Sequence, residues 1–361
     1  MTTPKDDAAI GKLVKGIHDL AGRLNRKVNL MEVCGTHTMA ISRHGIRKLL
    51  PENVNLISGP GCPVCVTPSA AVDAMVALAR KPDVTVATFG DMIRVPGSES
   101  SLELEKANGS DVRIVASPMD ALFIAEKESD RKVVFLGIGF ETTVPGVAAT
   151  IVAAKERGVA NFSVLSVHKV IPPAMSLLME SDDVAIDGFL CPGHVSVIIG
   201  SDAYIPIAEN YKVPCVVAGF EAGDVLESVY LLIRQILDGR NEVENQYVRV
   251  VKAEGNPTAR KIVDQVFEVC DAEWRGVGVI PKTGLSIRKR YASFCSLHIF
   301  HMNMGESVEP KGCLCGTVLR GAAKPTDCKL FRNRCTPAAP VGPCMVSSEG
   351  TCAAYFKYHI E

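Results

Sequence analysis

From Val54 to about Phe220, short β-branched and apolar runs alternate with longer stretches whose apolar positions recur at helical spacing. That alternation marks βαβ units, in which each crossover helix returns the chain to a parallel neighbour. Strands are predicted at Val54–Ser58, Val84–Phe89, Val112–Ser117, Lys132–Ile138, Phe162–Val167, Gly188–Cys191 and Cys215–Ala218. Each is apolar enough to be covered on both faces. Crossover helices are predicted at Ser69–Arg80, Met119–Lys127, Pro145–Arg157, Ala174–Glu180 and Ala222–Leu237. So many strands exceed one small sheet, so the expected fold is α/β, with two doubly wound parallel-sheet domains over residues 1–130 and 131–250 facing a central cleft. A short echo of Gly61-Cys62-Pro63 in Cys191-Pro192-Gly193 fits a duplication. The stretch Val248–Gly276 looks helical and then loses periodicity, and from Gly312 onward glycine, proline and cysteine dominate. Residues 251–361 therefore read as a third, small domain that folds around whatever its cysteines bind.

Composition narrows the function. With 361 residues, 47% of them hydrophobic, the chain can bury a large core in two or three domains. Lys plus Arg, 39, nearly equals Asp plus Glu, 40, so a net charge of −1 offers no field for nucleic acid or an anionic membrane. The polar start Met1–Asp7 lacks a secretory h-region, and apolar runs such as Val133–Ile138 are far too short to span a bilayer. A soluble, cytoplasmic protein is expected. Thirteen cysteines in a reducing compartment point to metal binding or transient redox chemistry rather than a disulfide framework.

Unusual residues cluster in the loops that follow the strands. These loops are Gly59-Pro60-Gly61-Cys62-Pro63-Val64-Cys65, Gly90-Asp91, Gly139-Phe140-Glu141-Thr142-Thr143, Cys191-Pro192-Gly193-His194 and Gly219-Phe220-Glu221. Open α/β sheets bind ligands at strand carboxyl ends, so the loops could converge on one cleft. Glycine and proline alone would only punctuate turns; Cys, His, Asp and Glu in the same loops mark a site. Nucleotide signals are poor. Gly137-Ile138-Gly139 lacks its third glycine, with Thr142 in that place, and no Gly-x-x-x-x-Gly-Lys-Ser/Thr string occurs.

Cys62-Pro63-Val64-Cys65 follows a strand and precedes the predicted Ser69–Arg80 helix, where a helix N-terminus would favour thiolate and reversible disulfide exchange. Half a zinc site or two inert thiols is the competing reading. Cys34-Gly35-Thr36-His37 follows the apolar run Val28–Val33 and sets a further thiol beside an imidazole; a buried structural Cys and His is the plain alternative. Six cysteines fall within Cys313–Cys352. Of these, Cys313, Cys328, Cys335 and Cys352 are separated by 14, 6 and 16 residues, without the close Cys-x-x-Cys pairs of zinc knuckles. Dispersed thiolates suit a [4Fe–4S] cluster better than zinc or disulfides, which would make the third domain a C-terminal iron-sulfur domain. Cys315 and Cys344 are left over and could pair beside it. Cys270 and Cys295 read as core residues, and His168 as a structural histidine at a strand end.

Taken together these motifs resemble the HypD family of [NiFe]-hydrogenase maturation proteins. The resemblance is carried by Met31-Glu32-Val33-Cys34-Gly35-Thr36-His37-Thr38, Ser58–Pro68, Gly139–Thr143, Cys191–His194 and Gly342-Pro343-Cys344-Met345-Val346-Ser347-Ser348-Glu349-Gly350-Thr351-Cys352, in family order. It implies a scaffold on which an iron with two cyanides and one carbon monoxide is assembled, together with the chaperone HypC, for the hydrogenase large subunit. HypE would donate cyanide, with HypF upstream. The resemblance also implies roles for single residues: Cys34 as iron ligand, Cys62 and Cys65 as a redox pair, and Cys313, Cys328, Cys335 and Cys352 as [4Fe–4S] ligands. Cys315 and Cys344 match a second disulfide between cluster and cleft. His37, Asp91, Glu141 and His194 are expected to line the cleft as orienting or proton-handling groups.

A ferredoxin-dependent thiol–disulfide reductase acting on a protein would use most of the same residues. The extra thiol of Cys34 separates the two readings, because a reductase needs one dithiol and a metal scaffold needs a further soft ligand.

Overall fold

The computed structural model describes residues 4–181 and 184–359, so that of the polar N-terminal stretch Met1–Thr3 lie outside the described residues. Two parallel sheets organise the chain. The first takes strands β1 (Val28–Glu32), β2 (Val54–Ser58), β7 (Gly188–Pro192), β8 (Cys215–Ala218) and β9 (Val243–Asn245), in the order β2-β1-β7-β8-β9. The second takes β3 (Val84–Thr88), β4 (Val112–Ile114), β5 (Lys132–Gly137) and β6 (Phe162–Ser166), in the order β4-β3-β5-β6. All pairings within both sheets are parallel. The α/β class is as the hydrophobic runs predict, and a strand lies at each of the seven predicted positions; β1 and β9 are additional to them.

Sheet membership does not follow a cut near residue 130. The chain leaves the first sheet after β2, builds the whole second sheet, and returns to lay β7 beside β1, with Leu30 opposite Gly188. Consequently the echoing segments after β2 and β7 flank β1 in one sheet rather than marking two halves. The long apolar stripe of the Ala222–Asp238 helix packs with the Pro4–Ala21 helix on one face of the first sheet, burying Ile17, Leu226, Leu232 and Ile233. In the second sheet the Pro118–Lys127 helix is started by a reciprocal cap, in which Ser117 Oγ accepts from the Asp120 N–H at 3.2 Å and Asp120 answers to the Ser117 N–H.

The stretch 251–361 is not one unit either. The helix Pro257–Val266 leads into an antiparallel hairpin, β10 (Phe267–Trp274) and β11 (Gly278–Ile287), which lies against the second sheet. The last helix, Thr351–Tyr358, packs instead on the Gly35–Arg43 helix that follows β1. A continuous apolar core joins the two sheets and takes in Cys62, Cys65, Cys315 and Cys344. Among the described residues no helix is long and apolar enough to cross a membrane.

Candidate functional site

The carboxyl ends of both sheets open onto one cavity of about 350 Å3. The first sheet supplies Val33 and Cys34 after β1, Gly61, Pro63 and Val64 after β2, and Pro192 and His194 after β7. The second supplies Phe89–Met92 after β3 and Ile138, Gly139, Phe140, Thr142 and Thr143 after β5. Ser347 and Glu349 come in from the C-terminal segment. Of the residues assigned to the cleft from sequence, Cys34, Asp91 and His194 line the cavity.

Cys34 stands at the N-cap of the Gly35–Arg43 helix in extended conformation, φ −150° and ψ 122°. Its backbone N–H donates to Glu32 Oε2 at 3.1 Å, and Glu32 is completely buried beneath it. The loop after β2 presses against the same point. Gly35 N–H donates to Gly61 O at 2.9 Å, and a Cβ on Gly61 would land on the Cys34 nitrogen and the Val33 carbonyl carbon, so that position tolerates only glycine. Burial pushes the Cys34 thiol up to about 12, with the N–H groups of the helix start opposing and the Glu349 and Glu32 carboxylates adding to the rise. A soft metal that binds it must displace that proton.

Glu349 completes the wall. Thr36 Oγ1 donates to Glu349 Oε1 at 2.6 Å, and Gly35 lies flat against the Glu349 side chain, where a Cβ would come within 2.6 Å of Glu349 Cβ. Across the cavity Ser347 Oγ donates to Asp91 Oδ2 at 3.0 Å, tying the C-terminal segment to the second sheet. Thr36, Ser347 and Glu349 were not singled out by sequence; the signal available was their place inside the quoted Cys34–His37 and Gly342–Cys352 motifs.

His37 and Glu141 lie behind the wall rather than on it. His37 is fully buried, its Nε2–H donates to Gly219 O at 2.9 Å, and its ring stacks on Phe220 at 4.7 Å. Burial lowers it to about 4, so it is neutral. His194 also stacks on Phe220, at 3.9 Å, and is exposed, so one aromatic ring orients both imidazoles. Glu141 turns back to receive the Ile171 N–H at 2.9 Å, at the start of the Ile171–Glu180 helix. Desolvation raises it to about 7. A carboxyl raised in this way holds its proton more tightly folded than unfolded, so its contribution is intact below about 4.5 and is lost as pH rises to about 7. Glu141→Gln keeps the acceptor and removes the charge; it is expected to stabilise the protein by as much as about 3 kcal/mol at pH 8 and little at pH 4.5, read by urea unfolding at the two values.

The sulfurs of Cys62 and Cys65 lie at disulfide distance, both side chains are buried, and the Cys65 N–H points at Cys62 Sγ at 3.3 Å. They occupy a turn that ends before Pro68, and the helix begins only at Ser69. The helix-terminus argument for their thiolates therefore does not apply, and the turn itself brings the sulfurs together. In the C-terminal segment Cys315 Sγ and Cys344 Sγ approach to 2.8 Å. Cys315 is held low by thiol hydrogen bonds from Cys313 and Cys344, while Cys313 and Cys344 are pushed up. Cys344 also has the Cys352 side chain as a hydrogen-bonding neighbour. Cys335 Sγ receives the Val341 N–H at 3.4 Å, and Cys328 Sγ lies 3.7 Å from Gly312 O. None of these six cysteines is disulfide-bonded, and among the described residues no three donor side chains are gathered as a metal site. Cys270 and Cys295 are partly exposed rather than core, and line a separate cavity together with His168.

The HypD family model, described as hydrogenase formation hypA family, matches residues 8–359. The chain belongs to the HypD family. It is 49% identical over 341 residues to the hydrogenase maturation factor HypD of Rhizobium leguminosarum bv. viciae, covering 92% of this chain and 89% of that protein. HypD of Cupriavidus necator is 48% identical over 344 residues, with 93% and 91% covered. HypD of Escherichia coli is 46% identical over 352 residues, with 96% and 94% covered. Membership gives the chain a general role in hydrogenase maturation.

Proposed function

We propose that this HypD-family protein holds an iron bearing two cyanides and one carbon monoxide as its cargo, with Cys34 as the thiolate ligand. The observation that carries this reading is the place of Cys34: it is the cysteine on the wall of a 350 Å3 cavity between two sheets, outside both the Cys62/Cys65 pair and the C-terminal set. Diatomic π-acceptor ligands need a low-spin iron with soft donors and shelter from competing ligands. One thiolate from this chain leaves a position for a thiolate of HypC, with HypE bringing cyanide and the hydrogenase large subunit as recipient.

The side chains divide the work. Glu349, fixed by Thr36, and Asp91, fixed by Ser347, present acceptors on opposite walls for protons released as Cys34 binds iron. His194, held by Phe220, is the titratable imidazole on the cavity wall. Cys62 and Cys65 lie directly behind Gly61 and Pro63 of that wall, and closing their disulfide releases two electrons and two protons beside the cargo. Cys313, Cys328, Cys335 and Cys352 are the residues that would hold a [4Fe–4S] cluster; their donor chemistry fits one, since all four are free thiols and Cys335 accepts an amide N–H. Such a cluster, when bound, supplies one-electron chemistry next to Cys315 and Cys344.

The placement of Cys34 favours the scaffold over a ferredoxin-dependent thiol–disulfide reductase, for which a third wall thiol has no use. Infrared spectra of the anaerobically purified complex with HypC test the proposal: bands of iron-bound cyanide and carbon monoxide are expected, and iron without them would overturn it. The redox pair is tested separately. Differential alkylation of Cys62 and Cys65 across a range of potentials should show dithiol and disulfide in exchange; free thiols throughout would remove the redox role.

A further inference from the structure

A second cavity, of about 300 Å3, lies away from the cleft at the carboxyl end of β6, roofed by the β10–β11 hairpin. Lys169 enters it on a fixed backbone: its N–H donates to Gly139 O at 3.0 Å, and it bridges Gly284 of β11. The residue is only 5% exposed and forms no ion pair among the described residues. The titratable groups that share the cavity wall are His168 from the same loop, Cys270, Asp271 and Glu273 from β10, and Cys295. A buried ammonium without a counter-ion is costly, and releasing its proton is the cheaper state. Burial accordingly lowers Lys169 to about 8, against the opposing influence of Cys270 and Glu273. Beside it, Ser166 Oγ donates to Leu285 O at 2.7 Å and so accepts Nδ1–H of His168 at 3.0 Å, which leaves His168 Nε2 as a buried lone pair without a partner. Asp271 and Glu273 disfavour a phosphate or carboxylate in this space. An uncharged electrophile suits it.

We propose that Lys169 is the nucleophile of a second site that takes a small uncharged carbonyl compound as an imine. The free amine attacks the carbonyl carbon, the carbonyl π pair moves to oxygen and collects a proton, and water leaves as the C=N bond forms; amine plus carbonyl equals imine plus water, without oxidant or reductant.

The test incubates the full-length protein with propanal and cyanoborohydride from pH 6.5 to 10 and maps adducts by peptide mass spectrometry. At pH 7.5 Lys169 should be alkylated at least ~10-fold faster than exposed lysines such as Lys12 and Lys261, because far more of it is free base. Its rate should be half-maximal near pH 8, and Glu273→Gln should move that midpoint down. Lys169→Arg should remove the fast adduct; if that variant does not fold, the wild-type pH profile still decides. Labelling of Lys169 no faster than of Lys12, or protection by acetate with no imine formed, would overturn the proposal.

Discussion

Replacing Cys34 with alanine is expected to abolish the infrared bands of iron-bound cyanide and carbon monoxide while leaving the fold intact. The substitution removes one sulfur from a position 7% exposed at a helix N-cap, a loss of about 1 kcal/mol for so small a group. Nothing that shapes the cavity depends on that sulfur: the Cys34 N–H still meets Glu32, Gly35 still meets Gly61 O, and Thr36 still holds Glu349. The variant should therefore keep its thermal unfolding midpoint within a few degrees and still bind HypC. Cys34→Ser is the sharper control, since it returns a donor of similar size but hard character and should fold equally well without restoring the bands. Bands at wild-type intensity and frequency in Cys34→Ala would mean that the iron is held elsewhere, and Cys62 or Cys65 would become the ligands to test.

Strand positions were legible because fully buried parallel strands are β-branched and apolar for most of their length, as Val84–Thr88 and Cys215–Ala218 are. Strand order was not. The pairing of Leu30 with Gly188 is a long-range choice that no local pattern encodes, and a chain that leaves a sheet and returns to it reads like two successive domains. The hairpin was missed for a different reason: Phe267–Trp274 carries Glu268, Asp271 and Glu273 among its apolar residues and follows a true helix directly, so the change of period is buried in one stretch. In the site, position after a strand identified Cys34, Asp91 and His194, but it could not tell which side of a loop each side chain takes. His37 lies on the turn of the Gly35–Arg43 helix that faces Gly219, and Glu141 turns back to Ile171. Glu349 reaches Thr36 from 313 residues away, a contact made by tertiary packing alone.

Loss of any one of Cys313, Cys328, Cys335 or Cys352 is expected to lower iron and sulfide content and to loosen the C-terminal segment, and Cys352→Ala should have the largest effect on the cleft. The segment has little regular structure of its own: between Cys313 and Gly350 the regular elements are Cys315–Leu319 and two single turns, Pro325–Asp327 and Pro343–Met345. Its closest backbone packing runs through glycines, with Gly350 against the Cys344 carbonyl and Gly342 against Cys313 Sγ. Cys352 sits in the first turn of the Thr351–Tyr358 helix, which packs on the Gly35–Arg43 helix and begins two residues after Glu349. Freeing that turn should release Glu349 from Thr36 and Ser347 from Asp91, so that cluster loss and cavity loss occur together. In Cys328→Ala, remote from those contacts, cluster content should fall while Glu349 stays in place. Limited proteolysis within residues 313–350, measured alongside iron and sulfide, separates the two effects. Full iron and sulfide in all four single variants would rule out the ligand set, and equal protease resistance in Cys352→Ala and wild type would rule out the link between cluster and cleft.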